Sequence, residues 1–277
     1  MKSKRQWIGS AARFVVLAVL AALMVTPLVW SFCAALRPPT EPFAAGNVFF
    51  GSHLSLENYQ KALDLAPFGQ YYLNTFWQVA AILAFQMVSS SLAAFAFARY
   101  RFPGDKVLFT VILLQMMIPT AALLVPNFST IRFLGLYDTI PGIALPFFGS
   151  AFGTFLLRQS FLSLPRDLVD AAAIDGCRWD QELRFVFLPN ARSSLAAFVL
   201  SSLSWHWNDF LWPLVITQSD AVRPLTAGLV RFTQMGEIGA QWGTLSAATM
   251  VVTLPLFVVF VVFQKQFVRG YLSSGIK

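Results

Sequence analysis

Apolar residues along this chain come in six long runs rather than in strict alternation. The runs occupy residues 14–35, 72–97, 107–125, 139–157, 195–217 and 245–267, each carrying at most one charged side chain. A helix of about 20 apolar residues crosses roughly 30 Å of hydrocarbon, so each run predicts a transmembrane helix. Pro27, Pro119, Pro146, Pro213 and Pro255 fall inside runs. Spanning helices tolerate proline where neighbours satisfy the freed carbonyls.

Composition agrees with the pattern. Of 277 residues, 57% are apolar and 12% charged, about half the charge of a soluble domain. That excludes a water-soluble, disordered or disulfide-built protein and predicts an all-α integral membrane protein. The net charge of +7 does not predict a nucleic-acid partner, because the cations lie between apolar runs and form no basic face. Cys33 and Cys177 sit far apart in unlike surroundings and are expected to be free thiols. Lys2, Lys4, Arg5 and Arg13 before the first run could also open a signal peptide, but no good cleavage site follows, so an uncleaved helix is expected.

Cations also set the orientation. With the N-terminus cytoplasmic, fifteen of the 20 Lys and Arg fall on that side, as the positive-inside bias requires. They lie before the first run, between the second and third, between the fourth and fifth, and after the sixth. Arg37, Lys61, Arg132, Arg223 and Arg231 remain outside. Both termini are therefore expected in the cytoplasm. Acidic residues show no such asymmetry.

One cytoplasmic loop, 158–192, is long and patterned. Pro165, Asp167 and Asp170 suit a helix start, and Gly176 suits a left-handed end. A second short helix is predicted from about Trp179 to Phe187, stopping at Pro189. The loop balances five Arg against five carboxylates, which favours a protein partner over lipid headgroups or nucleic acid.

Within it, Asp170-Ala171-Ala172, three residues, Gly176, nine residues and Val186-Phe187-Leu188-Pro189 resemble the signature loop of ABC-importer permeases. Asp170 replaces Glu there, Val186 replaces Ile, and Arg178 stands where related loops often have a small hydroxyl residue. The resemblance extends through Asn58-Tyr59, Leu73-Asn74-Thr75, the segment from Ala94 to Gly104, Met117-Ile118-Pro119, Phe155 to Gln159, Trp207 to Pro213, and Phe267 to Gly270. Together these are similar to the carbohydrate branch, and to the second of two permease subunits in maltose-type importers.

This resemblance implies a cytoplasmic N-terminal segment at 1–13, a six-helix permease domain at 14–268 and a cytoplasmic tail at 269–277, in a bacterial-type inner membrane. It implies that 158–192 is a coupling loop seated on an ATP-binding cassette dimer, with Asp170, Ala171, Ala172, Asp175, Gly176, Leu188 and Pro189 at the contact. The implied partners are that ATPase, a second homologous permease subunit and an extracytoplasmic solute-binding protein, with membrane lipid around them. The tail could reach the ATPase, and Arg223, Arg231, Gln234 and Glu237 are candidate contacts for the binding protein. The implied cargo is a sugar or related polyol, of unspecified identity.

No phosphate-binding loop, metal-ligand pair or nucleophile elbow occurs in the sequence. The chain is expected to be no enzyme and to bind no cofactor or metal, ATP and Mg being held by the partner ATPase. The alternative is an ATP-independent secondary transporter, for which Asp209 would be the lone membrane carboxylate.

Trp205, Asn208, Asp209 and Trp212 are spaced i, i+3, i+4, i+7 and would share one face of a continuous helix, with Ser201 one turn earlier. A carboxylate inside a span should face protein or water. Two readings stay open: the stripe lines a translocation path, or it packs on another helix with the tryptophans as interface anchors. Gln86 and Gln115 are further pathway candidates, and Gln78 and Ser89 to Ser91 weaker ones.

Overall fold

The computed structural model describes residues 4–41, 49–234 and 242–275, with side chains for 13–41, 49–233 and 242–264. Every regular element among them is helical. The chain opens with α1 (Lys4–Ala35), α2 (Glu57–Leu65) and α3 (Phe68–Arg99). Next come α4 (Asp105–Gln115), a 3₁₀ turn (Thr120–Leu123) and α5 (Leu124–Phe133). After α6 (Ile140–Ala144), a 3₁₀ turn (Leu145–Phe147) leads to α7 (Ala151–Leu162). α8 (Arg166–Ile174) precedes a composite helix of α9 (Trp179–Gln181), a π-helical stretch (Glu182–Phe187) and α10 (Leu188–Asn190). α11 (Arg192–Trp207), α12 (Leu211–Ile216), α13 (Leu225–Gly228), α14 (Val230–Gln234) and α15 (Trp242–Gly275) complete the order.

Three segments are long and apolar enough to span a membrane as single helices: Arg13–Ala35, Phe68–Arg99 and Trp242–Gln264. Three more qualify only as bent pairs, giving up to six by length and composition. The expected span at 107–125 bends by 98° between α4 and the Thr120–Phe133 segment, and that at 139–157 bends by 46°. Proline is the local cause of the first bend. Pro119 brings no N–H, and the residue before a proline is pushed out of the helical region.

The expected fifth helix at 195–217 is also corrected. α11 ends at Trp207 and the chain resumes helical form only at Leu211. Pro213 cannot serve the carbonyl of Asp209 four residues earlier; Thr226 Oγ1 donates to that carbonyl instead. In this region the qualifying pair is Trp179–Asn190 with Arg192–Trp207, bent by 80°. Pro189 does not stop the second hairpin helix as expected. Helical winding runs on through it from the π stretch to Asn190, and the bend falls at Ala191.

The described chain forms two compact units, Met1–Phe68 with Leu229–Pro255, and Gly69–Gly228 with Leu256–Lys277. In the first, Asn58 is buried and donates to the carbonyls of Ala35 (3.2 Å) and Arg37 (2.6 Å), while Thr244 Oγ1 donates to its Oδ1 (3.3 Å). One amide thereby closes the end of α1 and joins α2 to α15. Phe68 and Phe232 stack at 5.9 Å in the same unit. The outward apolar side chains of α1, from Phe14 to Phe32, are exposed.

The second unit holds both candidate sites. Its apolar core joins Ala94 and Phe95 of α3, Leu157 and Phe161 of α7, Leu183 and Phe187 of the π stretch, and Ala191. A second cluster gathers Ile131, Ile143, Trp212 and Ile216. Gly153 lets α7 approach α11, since a Cβ there would come within 2.3 Å of the Phe198 ring.

Candidate functional site

The helical hairpin comes first. α8 starts at Pro165, with Asp167 in its first turn, and ends in a complete Schellman motif. The N–H of Gly176 bonds the Ala173 carbonyl (3.2 Å) and that of Cys177 the Ala172 carbonyl (3.0 Å). Gly176 has φ +71°, the left-handed value that a side chain disfavours. At Arg178 the N-cap side chain accepts no bond, but Gln181 Oε1 accepts the Arg178 N–H at 2.9 Å. This is one half of a capping box.

Burial sorts the hairpin residues. Ala172 faces inward, whereas Asp170, Ala171, Asp175 and Gly176 are exposed. Leu188 packs against the core cluster, with Pro189 half-buried beside it in sequence. Ile174 is 87% exposed, and Leu168, Trp179 and Phe185 are also open. These apolar side chains stand among the exposed charges of Asp170 and Asp175.

Sequence reasoning missed what anchors the hairpin. Arg99, the last residue of α3, donates from Nε to Glu182 Oε2 (2.9 Å) and from Nη2 to Oε1 (3.2 Å). The Glu182 side chain is 6% exposed and that of Arg99 32%. Nothing in sequence links two residues 83 apart. The π winding turns Glu182, Leu183 and Phe187 into the buried side, because an i→i+5 turn brings a five-residue spacing closer to one face than an α turn does. Phe187 meets Phe95 edge-on at 5.0 Å and Phe161 at 5.3 Å.

A cavity of about 820 Å³ forms the second site. Three interruptions of helix border it. Gln115 ends α4 and Ile118 lies in the break after it, and Pro146, Phe147 and Gly149 come from the region of the break before α7. Asn208, Asp209 and Phe210 come from the break after α11. Non-helical backbone at membrane depth is stable only against protein or a water-filled cavity. Among the sequence candidates, Gln115, Trp205, Asn208, Asp209 and Trp212 all line it, with Ser201. They meet across a break rather than along one continuous helical face.

The two tryptophans differ. Trp205 is 63% exposed, while Trp212 is 5% exposed and donates its indole N–H to the Ile143 carbonyl at 3.0 Å. Trp212 is a wall, and Trp205 is an available ring face. Asn208 Nδ2 donates to the Ser204 carbonyl at 2.8 Å, capping α11 and leaving its oxygen as an acceptor. Asn127 and Ser204 also line the cavity. Both were missed; a polar residue in an apolar stretch is their only sequence signal.

Gln86 is not brought to the cavity lining. It is buried, donates to the Phe147 carbonyl (2.8 Å), and accepts from Ser202 Oγ (2.6 Å). His206 Nε2 lies 3.3 Å from its amide nitrogen, and the His206 ring packs on Phe147. One turn on, Ser89 Oγ donates to the Phe148 carbonyl (2.7 Å) and Ser90 Oγ to the Ser150 carbonyl (3.4 Å). Gln86 and Ser89 thus satisfy two carbonyls that the break before α7 leaves free, while the Ser150 carbonyl also accepts the Thr154 N–H at 2.9 Å. Gln78 is buried as well.

Another clasp closes the segment between α5 and α6. Asp138, at φ +56°, accepts the N–H groups of Gln218 (2.8 Å) and Ser219 (3.1 Å). Burial would raise its pKa, but these bonds and the Arg223 charge outweigh it and hold the carboxyl below its ordinary value. Arg223 is engaged with Asp220 at 3.0 Å, and Arg231 bonds the Leu65 carbonyl at 3.4 Å. The Gln234 side chain and Glu237 lie outside the described residues, as do residues 276–277 of the tail and its side chains.

This geometry can be set beside known proteins. Residues 86–272 match the family described as binding-protein-dependent transport system inner membrane component. The chain is 33% identical over 268 residues to the sn-glycerol-3-phosphate transport system permease protein UgpE of Pectobacterium atrosepticum, covering 94% of each. It is 32% identical over 280 residues to the lactose transport system permease protein LacG of Rhizobium radiobacter, covering 99% of each. In fold it is similar to a chain of a bacterial ABC transporter that imports the acidic polysaccharide alginate. There the TM-score is 0.84 at 23% identity, over 96% of this chain and 99% of that one. The chain belongs to the family of binding-protein-dependent transport system inner membrane components.

Proposed function

We propose that this chain forms half of the transmembrane path of a binding-protein-dependent ABC importer for a sugar or related polyol, and that the hairpin couples that path to a separate ATPase. The family membership makes it an importer permease subunit, and does not favour the ATP-independent alternative. The single observation that carries the coupling reading is the hairpin's construction. Its far side is welded to α3 and α7 by the Phe95–Phe161–Phe187 core and the Arg99–Glu182 pair. Its near side offers Asp170, Ala171, Asp175 and Ile174 to a neighbour. A push on that surface moves two spanning segments instead of bending a loop.

In this reading the chain crosses the inner membrane six times with both termini cytoplasmic, as the cation distribution supports. It pairs with a second homologous permease and takes its solute from an extracytoplasmic binding protein. ATP and Mg are held and hydrolysed by the partner chain, so no catalytic, cofactor or metal residue is assigned here. The cavity lined by Gln115, Trp205, Asn208, Asp209 and Trp212 belongs to the solute path, with Gln86 supporting its wall.

Crosslinking tests the coupling directly. With Cys33 and Cys177 replaced by serine, an Ile174→Cys variant in the assembled importer should crosslink to the ATP-hydrolysing subunit. Labelling of that thiol from the external face of intact cells would sink the proposal.

A further inference from the structure

The cavity's charge pattern narrows the solute, and this rests on the reading above that the cavity belongs to the path. Relatives include permeases named for both an anionic solute, sn-glycerol 3-phosphate, and an uncharged one, lactose. Likeness alone therefore leaves the charge open.

We infer that this cavity accepts an uncharged, polyhydroxylated solute and rejects phosphorylated polyols and uronic-acid saccharides. Among its lining residues Asp209 alone is charged, and there is no Lys or Arg. Four arginines of the same compact unit, outside the lining, have partners of their own. Arg132 lies over the Phe128 and Tyr137 rings at 6.0 and 5.9 Å, and Arg223 pairs with Asp220. Arg158 bonds the Phe97 carbonyl and covers the Phe109 ring; Arg99 holds Glu182.

An anion entering would shed water without gaining a cationic partner from this chain's lining, and it would meet a carboxylate. A sugar faces neither cost. Gln115, Asn127, Ser204 and Asn208 present amide and hydroxyl groups to its hydroxyls, each able to accept or donate. The open face of Trp205, with Phe147 also lining the cavity, suits the apolar face of a pyranose ring.

The test reads the cavity's charge without knowing the sugar. In the complete importer lacking Cys33 and Cys177, Ser204→Cys and, separately, Asn127→Cys are reacted with trimethylammonium-ethyl and sulfonato-ethyl methanethiosulfonates. Rates are corrected for each reagent's reactivity with a small thiol. The cationic reagent should win by on the order of tenfold, as expected for one nearby carboxylate, and Asp209→Asn should remove most of that preference. Anionic labelling as fast or faster at both positions overturns the inference and leaves the path reading standing. Labelling by neither reagent at either position overturns the cavity as a solute-accessible site. The intact importer should carry neither sn-glycerol 3-phosphate nor an alginate oligosaccharide; uptake of either overturns the inference whatever the labelling shows.

Discussion

The hairpin and the cavity lie in the same compact unit and are built by opposite means. The hairpin's backbone is satisfied by its own helices, a Schellman motif and a borrowed cap, and its inner face rests on an aromatic core. The cavity's backbone is broken three times, and individual side chains from other elements complete it: Gln86 and Ser89 for one break, Thr226 for another. A close-packed core transmits displacement because it has few ways to deform. A wall of separately bonded carbonyls can exchange partners one at a time. One region is made to move as a piece, the other to present polar groups.

Arg99→Ala should distinguish them most sharply. It strands the buried Glu182 carboxylate, a loss of about 3 kcal/mol, and should uncouple ATP hydrolysis from uptake in the reconstituted importer. Its cost should exceed that of Glu182→Ala, because the Arg99 side chain is the more exposed partner. Equal ATPase coupling in wild type and Arg99→Ala would remove the ion pair from the hairpin's anchor.

Gln86→Leu comes next. It leaves the Phe147 carbonyl and Ser202 hydroxyl without their partner, at about 2 kcal/mol. Uptake should fall while ATPase stimulation by the hairpin remains, measured on the same preparation. A parallel fall in both would mean that the two regions are not separable.

Gly176→Ala forces a side chain into the left-handed region at about 1 kcal/mol. Hydrogen exchange should show faster opening at Ala172 to Cys177 and no change around Phe147. The smallest effect is expected at Asp138. Its pKa is held below the unfolded value, so its stabilisation is present above that unfolded value and is lost as pH falls through the folded one. Asp138→Asn keeps a residue that tolerates positive φ and should flatten this acid limb of thermal unfolding by less than about 1 kcal/mol. An unchanged acid limb would show that the clasp contributes nothing measurable.

Much of this molecule follows from local chemistry and was legible in the chain. Long apolar runs with few charges permit only helices in hydrocarbon, because each helix satisfies its own backbone. Asp167 and Gly176 mark helix ends through interactions with backbone only a few residues away. Spacing likewise picked Trp205, Asn208, Asp209 and Trp212, and these do share a cavity. Spacing alone puts them on one helical stripe, because Pro213 permits a kinked helix as readily as a break; in the fold the chain breaks there, and Thr226 bonds the Asp209 carbonyl.

What tertiary structure alone decided are the pairings between distant positions. Arg99 with Glu182, Gln86 with Phe147, and Asp138 with Gln218 join groups that carry no mutual signal along the chain. Tertiary contacts likewise separate Gln115, which reaches the cavity, from Gln86, which braces its wall, although both are glutamines in apolar runs. Periodicity assigns a residue to a face; only packing assigns that face a neighbour, because the neighbour's position is set by the fold of every segment between them.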